Sequence, residues 1–214
     1  MDTQIKICGI TSEQEAEYLN EAQADYAGFV FFEKSKRNVT AEQADRILQK
    51  LDVRIRRVAV TVNPDIGLVR QIESAGFSIL QIHGALDEAV FREIRLPIWR
   101  AVNIADLKNA EEQIERLKPE ESKITGYVVD AASYGSGRTF SWESFLGNRE
   151  AEELLVRFRR KTFVLAGGLR AENIDEAMDL FSPDVVDVSS GVEGKQGKEK
   201  TKITEFVRKV RKHG

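Results

Sequence analysis

Hydrophobic and polar positions alternate with two periods along this chain. Short β-branched runs give way to stretches that are apolar on one helical face, and the exchange repeats from end to end. The runs predict strands at Ile5–Cys8, Tyr26–Phe32, Arg57–Val62, Ser78–Ile82, Ile98–Val102, Ile124–Val129, Thr162–Leu165 and Val185–Val188. Between them the spacing predicts helices. Ser12 is an N-cap, Glu15 completes its capping box, and the helix runs to about Ala22. Thr40 caps Ala41–Leu51, and Pro64 opens a helix to Ala75. Further helical patterns cover about Leu86–Ile94, Ile104–Leu117, Glu150–Arg159, Ala171–Leu180 and Lys202–Lys212.

These are eight βα units with no Pro/Gly/Ser-rich linker and no low-complexity segment. Alternating strand and helix implies an α/β fold with a parallel sheet. Eight units in 214 residues fit a small (β/α)8 TIM barrel, so residues 1–214 are expected to form a single catalytic domain. An open doubly wound sheet is the alternative, but it would carry a dinucleotide-type glycine pattern after an early strand. Gly9 stands alone there.

A hydrophobic fraction of 42% with 31% charged residues suits a globular protein that buries a sizeable core. The net charge of −3 supplies no general basic field, so no nucleic-acid partner is expected. No apolar run is long enough for a bilayer, and Met1-Asp2-Thr3-Gln4 lacks the regions of a signal peptide. No membrane partner is expected. One cysteine allows no intrachain disulfide, in keeping with a cytoplasmic location. Two histidines and one cysteine are too few for an ordinary zinc site, so no metal is expected.

In a barrel of this kind the site is built where strands end and helices begin. Polar and glycine residues collect at those points: Cys8, Lys34–Arg37, Asn63, Gln81 and His83, Asn103, Asp130, Gly135–Arg138, Gly167-Gly168 and Ser189-Ser190-Gly191. The last two loops hold the small residues whose backbone N–H groups bind phosphate, at the strand ends where barrels often place it. Arg37 could clamp a carboxylate with two parallel hydrogen bonds, or simply belong to a solvated basic loop. Gln81 and His83 share one side of strand 4, and a pocket-lining role suits His83 better than proton transfer. Asp130 could move protons if its pKa is tuned, or cap the following loop. Cys8 is read as a base, although a free thiol can equally be a small buried hydrophobe and needs help to act near neutrality.

Together these stretches resemble the phosphoribosylanthranilate isomerases. The matching segments are Lys6-Ile7-Cys8-Gly9-Ile10-Thr11, Ala24 to Phe31, Ser35-Lys36-Arg37, Gln81-Ile82-His83-Gly84, Asp130 with Gly135 to Trp142, Leu165 to Leu169, and Val186 to Glu193. They span nearly the whole chain in family order. The resemblance implies a cofactor-free Amadori rearrangement of N-(5-phosphoribosyl)anthranilate to 1-(2-carboxyphenylamino)-1-deoxyribulose 5-phosphate. By motif position it implies Asp130 as acid, Cys8 as base, Arg37 on the anthranilate carboxylate, and Gly168, Ser189 and Ser190 at the phosphate. The small phosphoribosyl substrate is then the expected partner. Thr61, Ala85 and Leu86 depart from the family pattern and could alter the pocket around the anthranilate ring, but they leave the acid and base, and so the reaction implied, untouched.

Another phosphosugar barrel is the second reading. A histidine-pathway isomerase would carry aspartate in place of Cys8, and an indole-glycerol-phosphate synthase would carry catalytic lysines and glutamate at strand ends. A barrel that binds a phosphorylated ligand without turnover is the third. Alternation also places Lys6 with Cys8 and Asp187 with Ser189, which predicts a Lys6–Asp187 ion pair inside the barrel. Monomer and homodimer both stay open, with Phe31 and Phe32 as exposed apolar rim residues that could pack against a partner or equally line a loop.

Overall fold

The computed structural model describes residues 2–104, 112, 122–130 and 149–213. Its strands are β1 (Gln4–Cys8), β2 (Tyr26–Phe31), β3 (Arg56–Val62), β4 (Ile79–His83), β5 (Ile98–Asn103), β6 (Ile124–Asp130), β7 (Thr162–Ala166) and β8 (Val185–Val188). They form a closed parallel barrel in chain order, with β1 sealing against β8. Among the described residues seven helices follow the strands: Glu13–Ala22, Ala41–Lys50, Ile66–Ser74, Glu88–Glu93, Arg149–Phe158, Ile174–Phe181 and Lys200–His213. The expected (β/α)8 barrel is the observed one. The helix expected over about 104–117 lies outside the described residues, save Ile104 and Glu112, as does the glycine-rich stretch 135–138. Among the described residues no helix is long and apolar enough to cross a membrane.

Strand alternation divides the apolar residues into two layers. One set, including Ile5, Ile7, Phe29, Ile82 and Val188, packs between sheet and helices. The other fills the barrel: Tyr26, Val58, Val60, Ile79, Trp99, Val128, Val164, Ala166 and Val185, with Cys8 packed on its edge. Tyr26 and Trp99 meet with ring centroids 5.1 Å apart. Trp99 has room because Gly126 is its register partner on β6. A β-carbon on Gly126 would lie 2.7 Å from the indole Cδ1.

Several boundaries move for identifiable reasons. The helix after β3 starts at Ile66, because Asp65 rather than Pro64 supplies the cap and accepts from the Leu68 N–H at 2.7 Å. β2 stops at Phe31, because the Phe32 N–H turns to the Asn38 side chain at 2.8 Å. The helix expected from Ala171 starts at Ile174, and Asn173 spends its side chain on the preceding loop. Phe31 is not an exposed rim residue: it is buried, edge-on to Phe77 at 5.5 Å. After β8 comes a two-stranded hairpin, Glu193–Gly194 with Gly197–Lys198, that the periodicity did not predict.

Candidate active site

Cys8 closes β1 on the inner side of the barrel. Lys6, one inward position below it, is wholly buried, and its Nζ lies 2.6 Å from Asp187 Oδ2 on β8. Lys6 and Asp187 are direct register partners across the β1–β8 seam, as the alternation predicted. The second carboxylate oxygen of Asp187 is buried without a hydrogen-bond partner among the described residues. Beside Cys8 on β2 is Gly28. A β-carbon there would sit 2.8 Å from Cys8 Sγ and 3.2 Å from Lys6 Nζ, so only glycine leaves the sulfur and the ammonium their places.

Opposing influences set the thiol. Burial pushes the Cys8 thiol above its ordinary value, the positive charge of Lys6 pulls it down, and Asp187 pushes it up again. Burial dominates, so the resting side chain is held as a thiol. Lys6 is itself raised: burial opposes its charge, but Asp187 and Cys8 together outweigh that.

Asp130 closes β6 in register with Asn103 and Ala166. Alternation from the interior residue Val128 puts it on the inner face, half-buried at the same rim as Cys8. On β4, Gln81 is buried and its Nε2 lies 2.9 Å from His83 Nε2. Burial, with the charges of Lys6 and Arg100, lowers the His83 pKa to about 4, so the imidazole is neutral near pH 7. That agrees with a pocket-lining residue and not with a charged proton donor. Thr61 requires a correction. It alternates with the interior residues Val58 and Val60, faces the helices, and bonds the Gln81 carbonyl at 3.2 Å. It does not line the pocket.

The loops after β7 and β8 meet closely. Gly167 and Gly168 both take positive φ, at 95° and 65°, which side-chain-bearing residues rarely adopt. Asn173 Nδ2 donates to the Gly168 carbonyl at 3.1 Å and its Oδ1 accepts the Arg170 N–H at 2.8 Å, fixing the turn. A β-carbon on Gly191 would fall 3.0 Å from Arg170 Cα and onto the Leu169 carbonyl, so the two loops touch backbone to backbone. Ser189 Oγ donates to the Cys8 carbonyl at 2.9 Å, and Ser190 beside it is exposed.

Arg37 lies across Gly9, whose positive φ and missing side chain admit it; a β-carbon on Gly9 would collide with Arg37 Cδ. Its Nε and Nη2 donate to the two carboxylate oxygens of Glu193, at 2.5 and 2.9 Å. Lys36 and Lys198 also reach Glu193, at 3.1 and 2.9 Å. Burial pushes the Glu193 carboxyl up, but hydrogen bonds from Arg37, Lys198 and Lys36 prevail and hold it at about 2. Lys198 is enclosed and also donates to Ser189 O and Oγ, at 3.1 and 3.2 Å. The solvated-loop alternative for Arg37 is therefore set aside: its guanidinium is anchored, not free in water.

Cys8 and Arg37 are thus joined through Ser189, Lys198 and Glu193, and Gln81 with His83 forms a second group. Sequence reasoning assigned no role to Gly28, Glu193 or Lys198. Glu193-Gly194-Lys195-Gln196-Gly197-Lys198 does hold a signal, two glycines around a two-residue turn with opposite charges outside them.

A protein-family model described as N-(5'phosphoribosyl)anthranilate (PRA) isomerase matches residues 5–209. An N-(5'-phosphoribosyl)anthranilate isomerase of Streptococcus gordonii is 36% identical over 211 residues, covering 98% of each chain. The crystal structure of phosphoribosyl anthranilate isomerase from Thermotoga maritima superposes with a TM-score of 0.82 at 31% identity, over 98% of this chain and 99% of that one. A crystal structure of a phosphoribosyl anthranilate isomerase in complex with reduced 1-(o-carboxyphenylamino)-1-deoxyribulose 5-phosphate gives 0.80 at 30% identity with the same coverage.

Proposed function

The chain belongs to the N-(5'-phosphoribosyl)anthranilate isomerase family, and we propose that Cys8 and Asp130 are the base and acid with which it works. It is an isomerase of tryptophan biosynthesis, converting N-(5-phosphoribosyl)anthranilate to 1-(2-carboxyphenylamino)-1-deoxyribulose 5-phosphate. The observation that carries the assignment of roles is the placement of Cys8 and Asp130 at the inward ends of β1 and β6, on one rim.

Asp130 in its acid form gives a proton to the ribose ring oxygen. The bond from that oxygen to C1′ breaks, and the nitrogen lone pair closes a protonated Schiff base. The Cys8 thiolate then takes the C2′ proton, and the C–H electrons move toward C1′ and neutralise the iminium, leaving an enolamine. Tautomerisation places a proton on C1′ and a carbonyl at C2′. No atom is gained or lost and no redox partner is required. Because burial holds Cys8 as a thiol at rest, its proton must leave before the second step, and the Lys6 charge makes that departure easier.

Arg37 holds the anthranilate carboxylate. Backbone N–H groups of the loops at Gly167-Gly168 and Ser189-Ser190 hold the phosphate. The Ser189 hydroxyl is already engaged by Cys8 and Lys198, which makes its main chain the better donor. Gln81 and His83 line the pocket as neutral groups. All these residues come from one chain, proposed to act as one barrel over 1–214, in the cytoplasm, without a cofactor, as a monomer or a homodimer.

Turnover of freshly generated phosphoribosylanthranilate, followed by loss of anthranilate-type fluorescence, tests the roles. Cys8→Ser and Asp130→Asn are each expected to lower kcat by about 10²–10⁴-fold. Variants that match the wild type would leave the reaction in place and remove both residues from it.

A further inference from the structure

Arg37 is held from one side before any substrate arrives. A guanidinium has a side edge, Nε with Nη2, and an end edge, Nη1 with Nη2. Glu193 takes the side edge with both carboxylate oxygens, and among the described residues Nη1 on the end edge makes no hydrogen bond.

Glu193 is in turn fixed from behind. Its hairpin partner Lys198 stands directly opposite it in register. The Lys198 side chain is 1% exposed, against 71% for Lys36, so it is a structural strut and not part of a solvated patch. Its backbone N–H donates to Glu15 Oε1 at 2.7 Å, while Glu15 Oε2 accepts the Thr11 N–H at 2.6 Å. The hairpin is thereby tied to the start of helix Glu13–Ala22, next to β1. A β-carbon on Gly197 would lie 2.6 Å from Glu15 Oε1, so this packing is close.

We infer that Glu193, braced by Lys198, is a positioning residue that presets Arg37 for the substrate carboxylate. The inference rests on the reading of Arg37 as the group that holds that carboxylate. An arginine fixed in advance loses less rotamer freedom when the ligand binds. The Lys198 contacts to Ser189 also join this clamp to the loop read as the phosphate site, so the two anionic ends of one ligand are gauged by one braced unit.

Charge and geometry predict opposite outcomes here. Glu193→Gln removes a negative charge beside the carboxylate site, and on charge alone the ligand should bind more tightly. Loss of the preset guanidinium should weaken it. The probes are the reduced product analogue, with its carboxylate, and the anilino counterpart that lacks it, with Kd measured on the whole protein. Arg37→Ala, Glu193→Gln and the double variant Glu193→Gln/Lys198→Met are compared. The double variant removes the buried ammonium that the single one strands, so it decides the question if Glu193→Gln does not fold.

The expected result is a roughly ten- to hundredfold loss for the carboxylated analogue in Glu193→Gln and in the double variant, the scale of a lost charge-assisted hydrogen bond. Affinity for the anilino analogue stays unchanged in Glu193→Gln; in the double variant, which also removes the Lys198 contacts to Ser189, it falls but by less than for the carboxylated analogue. In Glu193→Gln KM for the substrate rises while kcat stays within about threefold. Unchanged or tighter binding of the carboxylated analogue overturns the inference, and so does an equal loss for both analogues. If Arg37→Ala fails to discriminate between the analogues, the reading of Arg37 falls and takes the inference with it. If Arg37→Ala discriminates and the Glu193 variants do not, only the inference falls.

Discussion

Two charged clusters lie at the end of β1 that carries Cys8 and Gly9, and they are built differently. The inner one is a single enclosed pair, Lys6 with Asp187, set by strand register. The outer one gathers Lys36, Arg37 and Lys198 on the carboxylate of Glu193; the loop after β2 supplies the first two, and the short hairpin after β8 supplies Glu193 and Lys198. The inner pair lies against Cys8, and in the proposed mechanism it bears on that thiol's proton. The outer cluster fixes Arg37, and in the inference drawn above it bears on ligand affinity. Proximity to one site therefore does not imply one role.

The largest effect should come from splitting the inner pair. Lys6→Met leaves Asp187 charged, enclosed and with neither oxygen partnered among the described residues, a loss expected to be about 3–5 kcal/mol. Asp187→Leu strands the ammonium at similar cost. The double variant Lys6→Met/Asp187→Leu should lose clearly less than the sum, read by urea unfolding in a double-mutant cycle. Strictly additive losses would show that the two charges do not act as a pair.

A smaller effect separates the clusters by pH. The Lys6 pKa is raised above its ordinary 10.5, so its contribution to stability is complete below that value and lost as pH rises through the folded-state pKa. Glu193 is depressed from 4.5 to about 2, so its contribution is complete above about 4.5 and lost as pH falls toward 2. Unfolding free energies measured across pH should show Glu193→Gln flattening the acid limb and Lys6→Met flattening the alkaline one. The same limb flattened by both variants would erase the distinction.

The inner pair was legible in the sequence and the outer cluster was not, for a physical reason. A strand alternates strictly, so Lys6 two positions from Cys8 and Asp187 two from Ser189 must share a face. Loops obey no such period. Arg37 could be nominated from its chemistry, but its partner Glu193 is 156 residues away and reaches it through a hairpin whose trace is a pair of glycines flanked by opposite charges. Strand ends were likewise legible to within a residue, and with them Cys8, His83 and Asp130. Helix starts were less so. Pro64 looked like an opening residue while the neighbouring Asp65 carried the cap. Thr61 was misjudged because a departure from a family pattern carries no direction, whereas alternation from Val58 and Val60 places it among the helices.

The most direct measurement of the account as a whole is the pH dependence of kcat for the wild type and Lys6→Met, with folding checked at each pH. Burial and Lys6 are held to act in opposite senses on a base at Cys8. kcat is therefore expected to climb with pH along a limb reporting loss of the Cys8 proton, and Lys6→Met is expected to move this limb to higher pH. A limb that stays in place when the ammonium is removed, or one that survives in Cys8→Ser, would contradict it.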